Sequence, residues 1–211
     1  MKSKMESLGD AKKFREGFQY LRTRDPRLAK VMERYGPIKF EPEGDLFESL
    51  VESILSQQLA GPAARSIITK VRAIYSDGKL EAEEIFKTPT RKLRGAGVSP
   101  QKLRYLKDLS SRVAKGKIDL EALREMSDEE IISTLDEVKG IGPWTVHMLL
   151  IFTLGRTNVL PVNDLGIKKG VQRLYSLKEL PKEADIKKLG ENWHPYRSIA
   201  SLYVWRHKDE D

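Results

Sequence analysis

Apolar residues recur along this chain at intervals of three and four, the spacing that lays them along one side of an α-helix. Phe14, Phe18 and Leu21 form the first such stripe. Asp25-Pro26 then resets the chain, pairing an N-cap carboxylate with a first-turn proline ahead of Leu28, Val31 and Met32. After the Gly36-Pro37 break, Phe47, Leu50, Val51, Ile54 and Gln58 share a face. A helix from Asp45 therefore carries its apolar stripe up to the polar pair Gln57-Gln58, and Gly61-Pro62 ends it. Ile67, Ile68, Val71 and Ile74 mark a further helix, and Ser99-Pro100 opens another through Leu103, Leu106 and Val113. Gly95-Ala96-Gly97 between them reads as a helix-ending glycine, with a hairpin as the alternative. Ser127 and Glu130 make a capping box, which starts a helix running from about Asp128 to Leu135. Trp144 to Leu154 is apolar nearly all round, the sign of a central helix buried on every side. Ile167, Val171 and Leu174 give an amphipathic helix starting beside Asp164, and Tyr196, Ile199, Ala200 and Tyr203 give the last one. With no alternating run, internal repeat or low-complexity linker, the pattern predicts an all-α fold of about ten helices.

The stretch from Leu135 to Asp164 holds the candidate chemistry. Gly140 and Gly142 permit a tight reversal between two helices, and Pro143 suits the first turn of the second. Such a turn leaves main-chain N–H groups without an intrahelical partner, which makes it a site for an anion such as a phosphate or, equally, a plain connection. Asp164 lies 22 residues after Gly142 and is the only carboxylate between Glu137 and Glu179. That span also holds Lys139, Arg156, Lys168, Lys169, Arg173 and Lys178. An acid on a face that meets a polyanion opposes binding, so Asp164 is a candidate for chemistry. It is also a natural helix N-cap, a role that Asn163 fills equally well.

Composition sharpens the picture. The 211 residues are 33% charged and 39% hydrophobic, enough to bury a core as one domain or two intimately packed lobes. A formal net charge of +7 suits an anionic partner or a generally basic protein. The absence of cysteine excludes disulfides, cysteine-ligated zinc and thiolate-held iron–sulfur clusters. The N-terminal Met-Lys-Ser-Lys-Met-Glu-Ser has no apolar signal core, and no run approaches the ~18 apolar residues that span a bilayer, so an intracellular location is expected: cytoplasm or nucleoid, or the nucleus in a eukaryote. His147, His194 and His207 show no ligand spacing and read as surface or core histidines.

Val138-Lys-Gly-Ile-Gly-Pro-Trp144 followed by Pro161-Val-Asn-Asp164 resembles the helix-hairpin-helix DNA glycosylase superfamily, in particular its alkylation-repair branch, 3-methyladenine DNA glycosylase II. Ile54-Leu-Ser-Gln-Gln-Leu-Ala60 and the segment from Trp193 to Arg206 agree, so the likeness spans roughly Asp45 to Arg206. The resemblance implies a single catalytic unit over residues 1–211, in two helical lobes with the active cleft between them. About 45–155 forms the middle lobe carrying the hairpin, and 1–44 with 156–211 form the second. It implies a monofunctional glycosylase that removes alkylated purines of the 3-methyladenine and 7-methylguanine type from duplex DNA by base flipping and hydrolysis. The alternative is a hairpin DNA-binding protein without catalysis.

By the resemblance, Asp164 stabilises an oxocarbenium-like sugar and orients or deprotonates the attacking water. Lys139, Gly140, Gly142 and Thr145 contact the DNA backbone, with Lys139 otherwise a solvated charge. Main-chain carbonyls of Asp136, Val138 and Ile141 hold a monovalent or divalent cation, and no organic cofactor or obligate protein partner is implied. Gln57, Trp144, Met148 and Trp205 line the base pocket, where aromatic faces attract electron-poor or cationic bases. The alternative for both tryptophans is a place in the core. Met148 stands where relatives can have an aromatic ring. Gln58 fills the gap left in the base stack, where a leucine serves elsewhere in the family; both glutamines otherwise read as exposed residues without a specific role. In bifunctional members a lysine at the position of Trp144 attacks the sugar, and tryptophan cannot form that Schiff base.

Overall fold

The computed structural model describes residues 11–208 except 39 and 43; the N-terminal segment read for a signal lies outside the described residues. Twelve α-helices are present among the described residues and no β-strand. They are α1 (Ala11–Arg24), α2 (Pro26–Tyr35), α3 (Leu46–Ser56), α4 (Gly61–Arg72), α5 (Ala82–Lys87), α6 (Thr90–Gly95), α7 (Pro100–Ala114), α8 (Asp128–Asp136), α9 (Pro143–Met148), α10 (Leu165–Tyr175), α11 (Glu183–Gly190) and α12 (Arg197–Lys208). A π-helical turn, Leu149–Thr153, follows α9 directly. No described helix is long and apolar enough to cross a membrane.

The chain divides into two compact units, Gly44–Leu149 and the combination of Met1–Glu43 with Leu150–Asp211. In the second of these, α2 starts as its local chemistry requires. Asp25 caps it by accepting from the amides of Arg27 and Leu28, with Pro26 in the first turn. Asp25 is buried, and its other oxygen accepts the Trp193 indole N–H at 2.9 Å and the Tyr175 hydroxyl. Four donors thus satisfy one carboxylate under Leu21, Leu28 and Met32, which are fully buried. Burial, before any other cause, pushes the Tyr175 hydroxyl well above its ordinary pKa. Helices α10 and α12 pack against each other and carry the residues of interest in this unit.

In the Gly44–Leu149 unit, the stripe Leu50, Val51, Ile54 and Leu55 of α3 is buried with Val71, Leu93, Leu106 and Leu135. Arg72 of α4 forks onto Glu48 and Glu52 of α3, its Nη2 at 2.9 and 2.7 Å, and donates to the Gly78 carbonyl. Ser127 and Glu130 form the expected capping box of α8.

Three sequence expectations change. Helix α3 stops at Ser56, so Gln57 and Gln58 lie beyond it in a turn, and Gly61-Pro62 opens α4. Gln58 takes a left-handed conformation, φ 56°, which no helix accommodates. The segment Trp144–Leu154 is not one buried helix, because α9 ends after six residues and gives way to the π-turn. Trp144 and Phe152 are 44% and 38% exposed. The short helices α5, α6 and α11 are additional to those marked by the pattern.

Candidate active site

Within the Gly44–Leu149 unit the site is built around the turn between α8 and α9. Gly140 has φ 81°, the left-handed region that glycine enters without penalty, and Gly142 is the extended N-cap residue of α9 ahead of Pro143. Val138 donates to the Leu135 carbonyl and Ile141 to the Val138 carbonyl, which closes the turn. Lys139 gives its amide to Asp108 Oδ2 at 3.0 Å, so only its exposed side chain is left to meet an anion. The amides of Gly140 and Gly142 make no hydrogen bond among the described residues, which leaves them for a phosphate. Thr145 is buried, so its hydroxyl is not presented at the surface of the turn.

Gln57 and Gln58 belong to the same neighbourhood. The Gln57 amide nitrogen donates to the Gly140 carbonyl at 2.7 Å, which orients the side chain, because a carbonyl only accepts. A cavity of about 500 Å³ is lined by Ser53, Ser56, Gln57, Gln58, Leu59 and Trp144. Leu59 is exposed beside Gln58, an apolar side chain at the tip of the turn that periodicity did not single out. Met148 lies one helical turn after Trp144 and is half-buried. Burial lowers the His147 pKa and its Nδ1 is buried without a partner, so the imidazole is neutral near pH 7.

The carbonyls of Asp136, Val138 and Ile141 are the candidate cation ligands. Val138 spends one lone pair on Ile141 and retains a second. No group of three His, Cys, Asp or Glu side chains among the described residues is placed to hold a metal.

Asp164 belongs to the other unit and is the N-cap of α10. Its Oδ1 accepts the Ile167 amide at 2.8 Å and the Trp205 indole N–H at 2.7 Å. Asn163 is not the cap; its side-chain amide lies against the Glu183 carboxylate. Gly166 makes the pairing possible. A Cβ there would stand 2.9 Å from both Asp164 Oδ1 and Trp205 Cδ1. Phe152 stacks on Trp205 with centroids 5.6 Å apart and planes 28° apart, and Phe40 meets the edge of Phe152 at 5.6 Å. A carboxylate and an aromatic wall are thus joined through one indole. Sequence reasoning missed Phe40 and Phe152. The available signal was an aromatic residue in the Pro- and Gly-rich stretch 36–44, where no helix could bury it.

Residues 51–195 match a family described as HhH-GPD superfamily base excision DNA repair protein. The chain is 35% identical over 182 residues to DNA-3-methyladenine glycosylase 1 of Schizosaccharomyces pombe, covering 85% of this chain and 80% of that one. The solved structure of the S. pombe 3-methyladenine DNA glycosylase Mag1 in complex with abasic DNA superposes with a TM-score of 0.83 at 31% identity, covering 90% of this chain and 95% of that one. A DNA-3-methyladenine glycosidase from Bacillus halodurans gives 0.84 at 30% identity, over 98% and 93%.

Proposed function

Because the chain belongs to the HhH-GPD superfamily of base excision DNA repair proteins, we propose that it is a monofunctional glycosylase hydrolysing the bond between an N-alkylated purine and deoxyribose in duplex DNA. The observation that carries this reading is the Asp164 carboxylate, clamped by the α10 amide and the Trp205 indole.

In this reading the hairpin amides and Lys139 hold the strand, and the target nucleotide leaves the base stack. Gln58 or Leu59 occupies the gap. The Phe152–Trp205 stack beside Asp164 receives a base whose alkylation makes it cationic, since an aromatic face attracts a cation more than a neutral purine. As the C1′–N bond breaks, its electron pair passes to the base, which departs neutral and needs no general acid. Positive charge grows on the sugar, and Asp164 stabilises it while positioning water. The C1′–O bond forms as the attacking water passes a proton to the Asp164 carboxylate, and an abasic site remains. Trp144 stands where a nucleophilic amine would be needed for strand nicking, so no lyase step follows. The reaction draws on water and no organic cofactor. Asp136, Val138 and Ile141 would hold a cation whose charge adds to the phosphate grip. A DNA substrate places the work inside the cell, at the nucleoid or in a nucleus.

The test is a mass-spectrometric census of bases released from methylated duplex DNA, with Asp164→Asn as the control. Release of alkylpurines by the wild type alone supports the reading. Duplex binding with no base released identifies a non-catalytic DNA-binding protein. A borohydride-trapped covalent adduct overturns the monofunctional assignment.

A further inference from the structure

Helix α7 lies along the hairpin in antiparallel register. Tyr105, Asp108 and Arg112 share one face of α7, at spacings of three and four residues. Tyr105 packs against the Gly140 Cα so closely that a Cβ there would be driven into its ring. Asp108 Oδ2 accepts the Lys139 amide at 3.0 Å, and Arg112 reaches Glu137 Oε2 at 3.2 Å. Three successive contacts on α7 thus meet Gly140, Lys139 and Glu137 in reverse order. The Tyr105 hydroxyl accepts from Gln101 Nε2 at 2.6 Å, one turn earlier on the same face, which fixes the ring. Arg112 Nε also donates to Asp108 Oδ2 at 3.2 Å, so the carboxylate under the hairpin faces a guanidinium. From the opposite element, Gln57 holds the Gly140 carbonyl at 2.7 Å.

A six-residue turn that connects two helices requires none of this. Gly140 is held at its Cα and its carbonyl, and Lys139 at its amide. What these contacts leave unengaged are the amides of Gly140 and Gly142. We propose that Tyr105 and Asp108 are positioning residues, which hold the hairpin main chain in its DNA-gripping conformation before DNA arrives. The physical consequence is a smaller ordering cost on binding, because glycine-rich backbone that is otherwise mobile is already fixed. This inference rests on the reading of the hairpin as the strand grip. Asp108 also gains a role consistent with its charge: it is spent on an amide and a guanidinium instead of opposing a phosphate.

The experiment compares Tyr105→Ala, Tyr105→Phe and Asp108→Ala with the wild type in three measurements. These are hydrogen exchange at the two bonded hairpin amides, Lys139 and Ile141, the dissociation constant for duplex containing an abasic site, and the base-release rate constant at saturating protein. In Tyr105→Ala and Asp108→Ala, hairpin exchange is expected to rise about tenfold, with Kd weakened about tenfold and the saturated rate within about twofold of wild type. Tyr105→Phe keeps the ring under Gly140 and is expected to restore both exchange and Kd. Unchanged hairpin exchange in Tyr105→Ala overturns the brace, whatever the DNA does. Faster exchange with an unchanged Kd overturns its role in binding. A wild type that ignores duplex DNA defeats the functional reading instead, and it does so separately from the exchange result.

Discussion

The indole N–H of Trp205 donates to Asp164 Oδ1 at 2.7 Å, on the same oxygen that caps α10. The proposed catalytic oxygen pair is therefore oriented by a helix terminus and by the wall of the proposed base pocket. Capping and catalysis make different demands on the group. An asparagine caps a helix as well as an aspartate, but it carries no charge to set against a developing cation. Asp164→Asn is expected to lower base release by about 10³-fold or more while leaving the melting temperature and DNA affinity near wild type. Asp164→Ala is expected to lose base release and also ~1 kcal/mol of stability. Base-release rates alongside thermal melts of both variants make the comparison. An Asn variant with near-normal turnover removes Asp164 from the mechanism.

Gly166 tests whether the Trp205 contact matters. It sits in the first turn of α10, where alanine would ordinarily favour the helix by roughly 0.5–1 kcal/mol. Its Cβ would press on Asp164 Oδ1 and Trp205 Cδ1, and Lys208 Cε lies at 3.0 Å. Gly166→Ala is expected to keep stability within ~1 kcal/mol and to slow base release about tenfold by parting the pair. Trp205→Phe, which keeps a ring and removes the donor, should slow release similarly. Wild-type rates in both would make the indole contact incidental to the chemistry.

Much of the fold was legible because its signals are local. The Ser127–Glu130 capping box, Asp25-Pro26 and Ser99-Pro100 each act within four residues, and all three mark helix starts in the structure. The all-α class followed from periodicity. Helices α5 and α6 have six residues each, too few for a period to declare itself. The apolar run after Pro143 read as a buried helix because composition does not separate a core aromatic from one kept exposed. Trp144 and Phe152 are the exposed kind. Asp164 and the glycine turn were readable as candidates from type and spacing, and Trp144 only from the family resemblance. Gln57–Gly140 and Trp205–Asp164 join residues 83 and 41 positions apart, and no local pattern encodes such contacts.

Acid should weaken the Gly44–Leu149 unit through Glu48. Its hydrogen bond from Arg72 is the leading cause that holds its carboxyl below the ordinary value of 4.5, with a further bond from the Leu80 amide. A carboxylate with a lowered folded-state pKa binds its proton more readily when unfolded. Its stabilisation is therefore complete above pH 4.5 and is lost as pH falls through the folded-state value below that. Glu48→Gln is expected to melt lower than wild type at pH 7, with the difference shrinking below pH 4.5. Melting curves from pH 7 to pH 3 read this directly, and a constant difference across that range would remove Glu48 from the acid response.

Two side chains in the turn after α3, Gln58 and Leu59, are candidates for the place of an extruded base in the proposed reaction. Gln58 is held in a left-handed turn that projects it from the helix end, and Leu59 beside it is 39% exposed. An exposed leucine costs free energy in water and recovers it when stacked between base pairs, whereas a glutamine loses hydration there unless its amide finds partners. The transfer argument favours Leu59 as the wedge and leaves Gln58 to hydrogen-bond at the groove edge. Leu59→Ala is expected to slow base release from fully paired duplex about tenfold and to be rescued when the target base is mispaired, since a mispair lowers the cost of extrusion. Gln58→Ala should weaken release less and show little such rescue. The decisive measurement is the ratio of single-turnover rates on mispaired and paired substrates for the two variants. Rescue confined to Gln58→Ala would reverse the assignment, because the residue whose loss is compensated by a weakened pair is the one that holds the stack open.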